Sequence, residues 1–141
     1  MGEGRVVKIS HIGVAVPSLA EGGSFWDLLG LPEAHREEVA SQKVLTSFRP
    51  VGESSVELLE PTGEESPIAK FLAKSRPGIH HLCVEVDDVE AVLSRLKAAG
   101  VRLVNETPFD GAHGCRVAFV HPAATGGILL ELSQPGAAAH G

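Results

Sequence analysis

The sequence predicts an α+β fold in which two βαβββ modules form one curved mixed sheet. Three observations predict it. The segment that starts at His11 recurs at His81, an offset of 70 residues. In each copy a β-branched, alternating run gives way to a helical stretch and then to further strands. Each copy also carries a histidine at the head of its first strand and a glutamate in its last.

The elements follow in order. His11-Ile-Gly-Val-Ala-Val16 lies over His81-Leu-Cys-Val-Glu-Val86, and both read as strands led by a histidine. Each stops at a capping signal: Ser18 with Glu21 three residues on, and Asp87 with Glu90. A helix follows each. In the second, Val89, Val92, Leu93, Leu96 and Ala99 recur at helical spacing. Gly30 and Gly100 stand where a helix end favours glycine. Gly22 and Gly23 weaken the first helix. Val44-Leu-Thr-Ser-Phe48 then matches Arg116-Val-Ala-Phe-Val120, and Val56-Glu-Leu-Leu-Glu-Pro61 matches Leu130-Glu-Leu-Ser-Gln-Pro135. Between the halves, Ser66 is an expected N-cap with Pro67 at the first helical position. The expected organisation is one domain over 1–141. It comprises a first module at 8–61, a connecting helix within 62–77, a second module at 78–135 and a flexible tail at 136–141.

Composition removes whole classes of function. A net charge of -6 argues against a nucleic-acid partner. No apolar run is long enough to span a bilayer, so no membrane partner is expected. No signal peptide is visible, and Cys83 and Cys115 form no CxxC, so the expected compartment is the cytoplasm. There is no Tyr, which leaves carboxylates and the seven His as the proton-transfer groups.

The repeat carries a chemical expectation. Equivalent positions of duplicated halves meet at a shared pseudo-twofold centre, which brings His11, Glu57, His81 and Glu131 together. Imidazole and carboxylate donors suit Mn, Fe, Co, Ni or Zn, and six-coordination leaves two positions open. Singly, each glutamate between apolar neighbours reads as a solvated strand residue, and each histidine as an ordinary strand-end side chain. The His-then-Glu order, present twice, favours the metal site. His80 points to the opposite face from His81. His35 lies in the polar run His35-Arg-Glu-Glu38, a strand edge or loop. His113 sits in a glycine-flanked loop that could act as a lid, His121 precedes Pro122 in a turn, and His140 is in the tail.

These residues resemble the vicinal oxygen chelate superfamily and, within it, the methylmalonyl-CoA epimerases. The resemblance spans about residues 8–135. Its more characteristic segments are Glu65-Ser-Pro-Ile-Ala-Lys-Phe-Leu72, the His80-His81 pair and Gly111-Ala-His-Gly114. It implies a divalent metal, often Co2+, with Mn2+, Ni2+, Zn2+ or Mg2+ as alternatives, held by His11, Glu57, His81 and Glu131. It implies interconversion of (2R)- and (2S)-methylmalonyl-CoA through a metal-stabilised enolate, on an acyl-CoA substrate, in a homodimer. Glu131 is the expected base, with Glu57 its pseudo-symmetric partner. Thr46 stands where some relatives have a Glu, which leaves the second proton donor open. Lys43, Arg49, Arg76 and Arg116 are candidates for the CoA phosphates, with plain solubility the stronger reading for each.

Three rival functions share the ligands or the fold. An extradiol dioxygenase would keep only two His and one carboxylate around iron, and the fourth candidate ligand disfavours it. A glyoxalase I-type lactoylglutathione lyase would use the same four donors, but the Glu-Ser-Pro helix favours the epimerase. A non-enzymatic small-molecule-binding protein would line an apolar cavity with aromatics, which are scarce here at 4%.

Overall fold

The computed structural model describes residues 2–136. The tail expected over 136–141, and His140 with it, lies outside the described residues apart from Gly136. Among the described residues, eight strands alternate with helices: β1 Val6–Ala15, α1 Leu19–Gly22, α2 Ser24–Leu29, β2 His35–Val39, β3 Val44–Val51, β4 Ser54–Pro61, α3 Pro67–Lys74, β5 Gly78–Val86, α4 Val89–Ala98, β6 Phe109–Asp110, β7 Arg116–Val120, α5 Pro122–Thr125 and β8 Leu130–Gln134. The strands form one mixed sheet in the order β2-β3-β4-β1-β5-β8-β7-β6. β1 pairs parallel with β4 and β5 parallel with β8, while β2-β3, β3-β4, β6-β7 and β7-β8 are antiparallel. The expected α+β class with two βαβββ halves is what the chain adopts. Among the described residues no helix is long and apolar enough to cross a membrane.

The chain forms two compact units, Met1–Ser10 with His81–Gly141, and His11–His80. β1 and β5 each pass from one unit to the other, and the passage falls at His11 and at His81. The two histidines are therefore interior to their strands, not at the head of them as expected. β1 starts at Val6 and β5 at Gly78 because both strands reach beyond the repeated motif.

In the unit spanning His11–His80, the sheet buries side chains on both faces. Ala15, Val44 and Leu59 pack with Ile68 of α3, with Phe71 and Leu72 beside them. The opposite face carries Val16 and Leu58 against Leu19, with Trp26 and Leu45 alongside. α3 begins as expected. Ser66 Oγ accepts from Ile68 N–H at 3.1 Å, and Pro67 occupies the first turn, where no N–H is required.

The helix expected between Ser18 and Gly30 is broken. α1 ends at Gly22, Gly23 is its C-cap, and α2 restarts at Ser24. Buried Arg49 lies against the break. Its Nη1 donates to Asp27 Oδ1 at 2.7 Å and to the Leu31 carbonyl at 3.0 Å. A Cβ on Gly23 would come within 2.5 Å of Arg49 Nη2. Only a residue without a side chain admits the guanidinium there. This burial removes Arg49 from the candidates for phosphate contact.

In the other unit, α4 is one unbroken helix. Val89, Val92 and Leu93 pack on Val86, Ala118, Val120 and Leu132. Its N-cap is Asp88, whose carboxylate accepts from Ala91 N–H at 3.1 Å, not Asp87 as expected. Asp87 instead accepts the N–H groups of Gly4 and Arg5, both at 2.8 Å.

A second, duplicated cap was not anticipated. Glu60 Oε1 accepts from Leu19 N–H at 2.7 Å, and Gln134 Oε1 accepts from Val89 N–H at 2.8 Å. In each half, the residue three after the candidate glutamate holds the first orphan donor of that half's helix.

Candidate functional site

The site is built on cross-strand rows. In the first half, β3 places Phe48 opposite Glu57 of β4, and β1 places Gly13 opposite the same glutamate. In the second half, β7 places Phe119 opposite Glu131 of β8, and β5 places Cys83 opposite it. The matched pairs are His11 and His81, Gly13 and Cys83, Glu57 and Glu131, Phe48 and Phe119. This corrects the alignment of β3 with β7 by one residue, since the expected match put Phe48 over Val120. A one-residue slip inverts the faces of a strand, so the correction decides which side chains face the glutamate.

Each row holds a histidine–carboxylate pair. In the unit His11–His80, His11 Nδ1 lies 3.1 Å from Glu57 Oε2, and both side chains are 12% exposed. Ser55, two residues before Glu57 on the same face, donates its hydroxyl to Glu57 Oε2 at 3.2 Å. In the other unit, His81 Nε2 lies 3.0 Å from Glu131 Oε1. The Phe119 ring meets His81 edge-on at 6.0 Å, and Phe109 stacks on Phe119 at 6.3 Å. This face is opposite the one on which α4 packs, because Glu131 alternates with buried Leu132.

The pairs fit a metal on donor chemistry, imidazole and carboxylate both being ligands of divalent ions. An isolated buried carboxylate is costly, and each of these is matched by an imidazole on its own face. The separations of 3.1 and 3.0 Å are those of histidine–carboxylate hydrogen bonds.

The other candidates take different roles. His80 packs edge-on against Phe71 at 5.1 Å, as its opposite orientation to His81 predicts. His35 lies in β2 at the sheet edge, 3.6 Å from Glu37 and 5.4 Å from the Phe48 ring. His121 caps α5 through Nδ1, which accepts from Ala123 N–H at 2.9 Å. His113 lies in a 3-10 turn with left-handed backbone, φ 59. Thr46 is 3% exposed, opposite Glu37 on one side and Leu59 on the other. Lys43 pairs with Glu65 at 3.2 Å.

Sequence reasoning missed Ser55 and Phe119. A hydroxyl two residues before a strand glutamate was the available signal for Ser55. Phe119 needed the corrected strand register.

Comparisons with known proteins agree with this geometry. A family model described as the Glyoxalase/Bleomycin resistance protein/Dioxygenase superfamily matches residues 10–119. The chain is 38% identical to the mitochondrial methylmalonyl-CoA epimerase of Homo sapiens, over 90% of this chain and 73% of that one. It is 40% identical to an ethylmalonyl-CoA/methylmalonyl-CoA epimerase of Cereibacter sphaeroides, over 90% and 97%. A solved methylmalonyl-CoA epimerase in complex with methylmalonyl-CoA and NH4+ superposes with a TM-score of 0.88 at 33% identity, covering 94% of this chain and 97% of that one.

Proposed function

The chain belongs to the Glyoxalase/Bleomycin resistance protein/Dioxygenase superfamily, and from that premise we propose that it is a metal-dependent epimerase interconverting (2R)- and (2S)-methylmalonyl-CoA. The observation that carries this reading is the duplicated histidine–carboxylate pair, in the same register position of both halves. The similarity to methylmalonyl-CoA epimerases supports the choice of substrate.

His11, Glu57, His81 and Glu131 are the proposed ligands. Three of them, His11, His81 and Glu131, each offer one ligand atom. Co2+ is the proposed ion. A divalent ion held there supplies a Lewis acid for the negative charge that develops on the substrate's thioester and carboxylate oxygens.

The protein residues handle the proton. The C2 hydrogen is acidified by the thioester on one side and the carboxylate on the other. Glu131 takes it, and the C–H electron pair moves toward the thioester carbonyl. Inversion requires a proton returned to the opposite side of C2, and Glu57 is the proposed carrier. A threonine hydroxyl is a poor base, so Thr46 is assigned no proton. Phe119 and Phe109 give the Glu131 side of the site an apolar wall that limits water. The proposal includes a homodimer and a cytoplasmic setting.

The test is exchange of the C2 proton of methylmalonyl-CoA in D2O. Deuterium incorporation accompanied by epimerisation is the expected result. Absence of exchange, with conversion of a glutathione hemithioacetal instead, would identify a lactoylglutathione lyase.

A further inference from the structure

Ser55 touches the candidate site directly. It lies opposite His11 of β1 and opposite Pro50 of β3, so β4 is paired on both sides where it carries this residue. Its side chain shares a face with Glu57, two residues on. Its hydroxyl donates to Glu57 Oε2 at 3.2 Å, the same oxygen that lies 3.1 Å from His11 Nδ1. All of these residues belong to the unit His11–His80. Chemistry fixes the direction of the bond, because a carboxylate only accepts. Fewer torsions separate a serine hydroxyl from its backbone than separate a glutamate carboxylate from its own. The paired backbone of β4 therefore presents the hydroxyl from a nearly fixed point, and the longer glutamate side chain is the partner that gets held.

The flanks of the two candidate glutamates differ in a way that gives this bond a task. Glu131 has Phe119 opposite it on β7 and buried Cys83 opposite it on β5. Glu57 has Phe48 opposite it on β3, but on β1 the opposite residue is Gly13, which brings no side chain. Two residues before Glu131 stands Leu129, which has no hydroxyl. We propose that Ser55 is a positioning residue for Glu57: its hydroxyl holds the carboxylate in the orientation in which it serves as a metal ligand. This role presupposes the metal reading above. Ligating carboxylates are themselves hydrogen-bonded, and loss of such an outer partner costs about 10–100-fold in metal affinity.

The experiment is calorimetric titration of the metal-free protein with Co2+, alongside thermal melting, for wild type, Ser55→Ala, Ser55→Thr and Ser55→Val. Ser55→Ala should weaken Co2+ binding by about tenfold or more. Ser55→Thr keeps the hydroxyl and should stay within about threefold of wild type. Ser55→Val has nearly the shape of the threonine variant without the donor, and should bind as weakly as Ser55→Ala. The metal-free melting temperatures of the threonine and valine variants should not follow this split, because both residues suit a strand. Ser55→Ala that binds Co2+ with wild-type affinity overturns the proposal. So does Ser55→Thr weakened as much as Ser55→Val, since a loss indifferent to the hydroxyl is a packing effect. If Ser55→Ala does not fold, the threonine and valine variants decide: tighter binding by Ser55→Thr supports the role and equal binding overturns it. Wild-type protein that binds no Co2+ overturns the metal reading itself, a different failure visible before any variant is compared.

Discussion

The two halves keep the same donors and surround them differently. In the first, Ser55 donates a hydroxyl to Glu57, beside His11. In the second, the matched position is Leu129, which has no hydroxyl, and the ring of Phe119 stands against His81. The histidines meet their carboxylates through different ring nitrogens, Nδ1 in the first pair and Nε2 in the second. The helices differ as well. α4 is continuous over a buried stripe, whereas α1 and α2 are split around Arg49 and leave Leu28 87% exposed. On the proposed function the donor atoms of the two halves are held constant by the ion they serve. Everything around those donors is free to diverge, and with it the division of labour between the two carboxylates.

The largest effects test whether the halves are equal as metal holders. His11→Ala and His81→Ala should each remove the bound ion and lower epimerisation by about a thousandfold or more. Metal analysis beside turnover checks this, and survival of either variant with its metal would break the equivalence. Next, the carboxylates should prove unequal. Glu131→Gln should lose C2 exchange by about 10²–10⁴-fold, the range for a removed general base. Glu57→Gln should retain exchange and lose inversion, which the ratio of deuterium incorporation to epimerisation reads out.

The cores sharpen the comparison through stability. Leu93→Ala empties a site buried against the sheet and should cost about 2–5 kcal/mol in chemical denaturation. Leu28→Ala on exposed α2 should stay within about 0.5 kcal/mol. Gly23→Ala should cost about 1–3 kcal/mol, since its methyl meets Arg49 Nη2 at 2.5 Å and the Leu19 carbonyl at 2.9 Å.

The smallest effect is one of pH. The Arg5 backbone N–H, followed by that of Gly4, holds the Asp87 carboxyl below its ordinary range against the opposing effect of desolvation. A carboxyl depressed by folding adds stability that is fully present above its unfolded pKa and lost as pH falls through the lower folded value. Melting curves of wild type should therefore weaken across that acidic window. Those of Asp87→Asn should show a shallower decline.

Much of this was legible in the residues. Ser66 and Pro67 announced α3, Gly30 ended α2 in a left-handed conformation at φ 96, and the place of His11, Glu57, His81 and Glu131 in the repeat singled out residues that stand as two histidine–glutamate pairs. The errors have one kind of cause. Asp87 and Asp88 are alike as capping residues, and what separates them is Gly4 and Arg5, more than 80 positions away. The contact that demands glycine at the break, Arg49 Nη2 against Gly23, likewise comes from a residue far along the chain. The paired caps at Glu60 and Gln134 act on N–H groups 41 and 45 positions earlier.

The sequence by itself determined the periodicities, the ends of several helices and the kinds of donor present, because those depend on groups within a few residues of one another. Tertiary structure decided the register of β3 and β7, the break at Gly23, the partner of Asp87, and which side chains stand beside Glu57 and Glu131. Each of these depends on a hydrogen bond or a steric contact between segments far apart in the chain. A strand shifted by one residue keeps the same local preferences and presents the opposite face, so only its pairing with the neighbouring strand selects between the two.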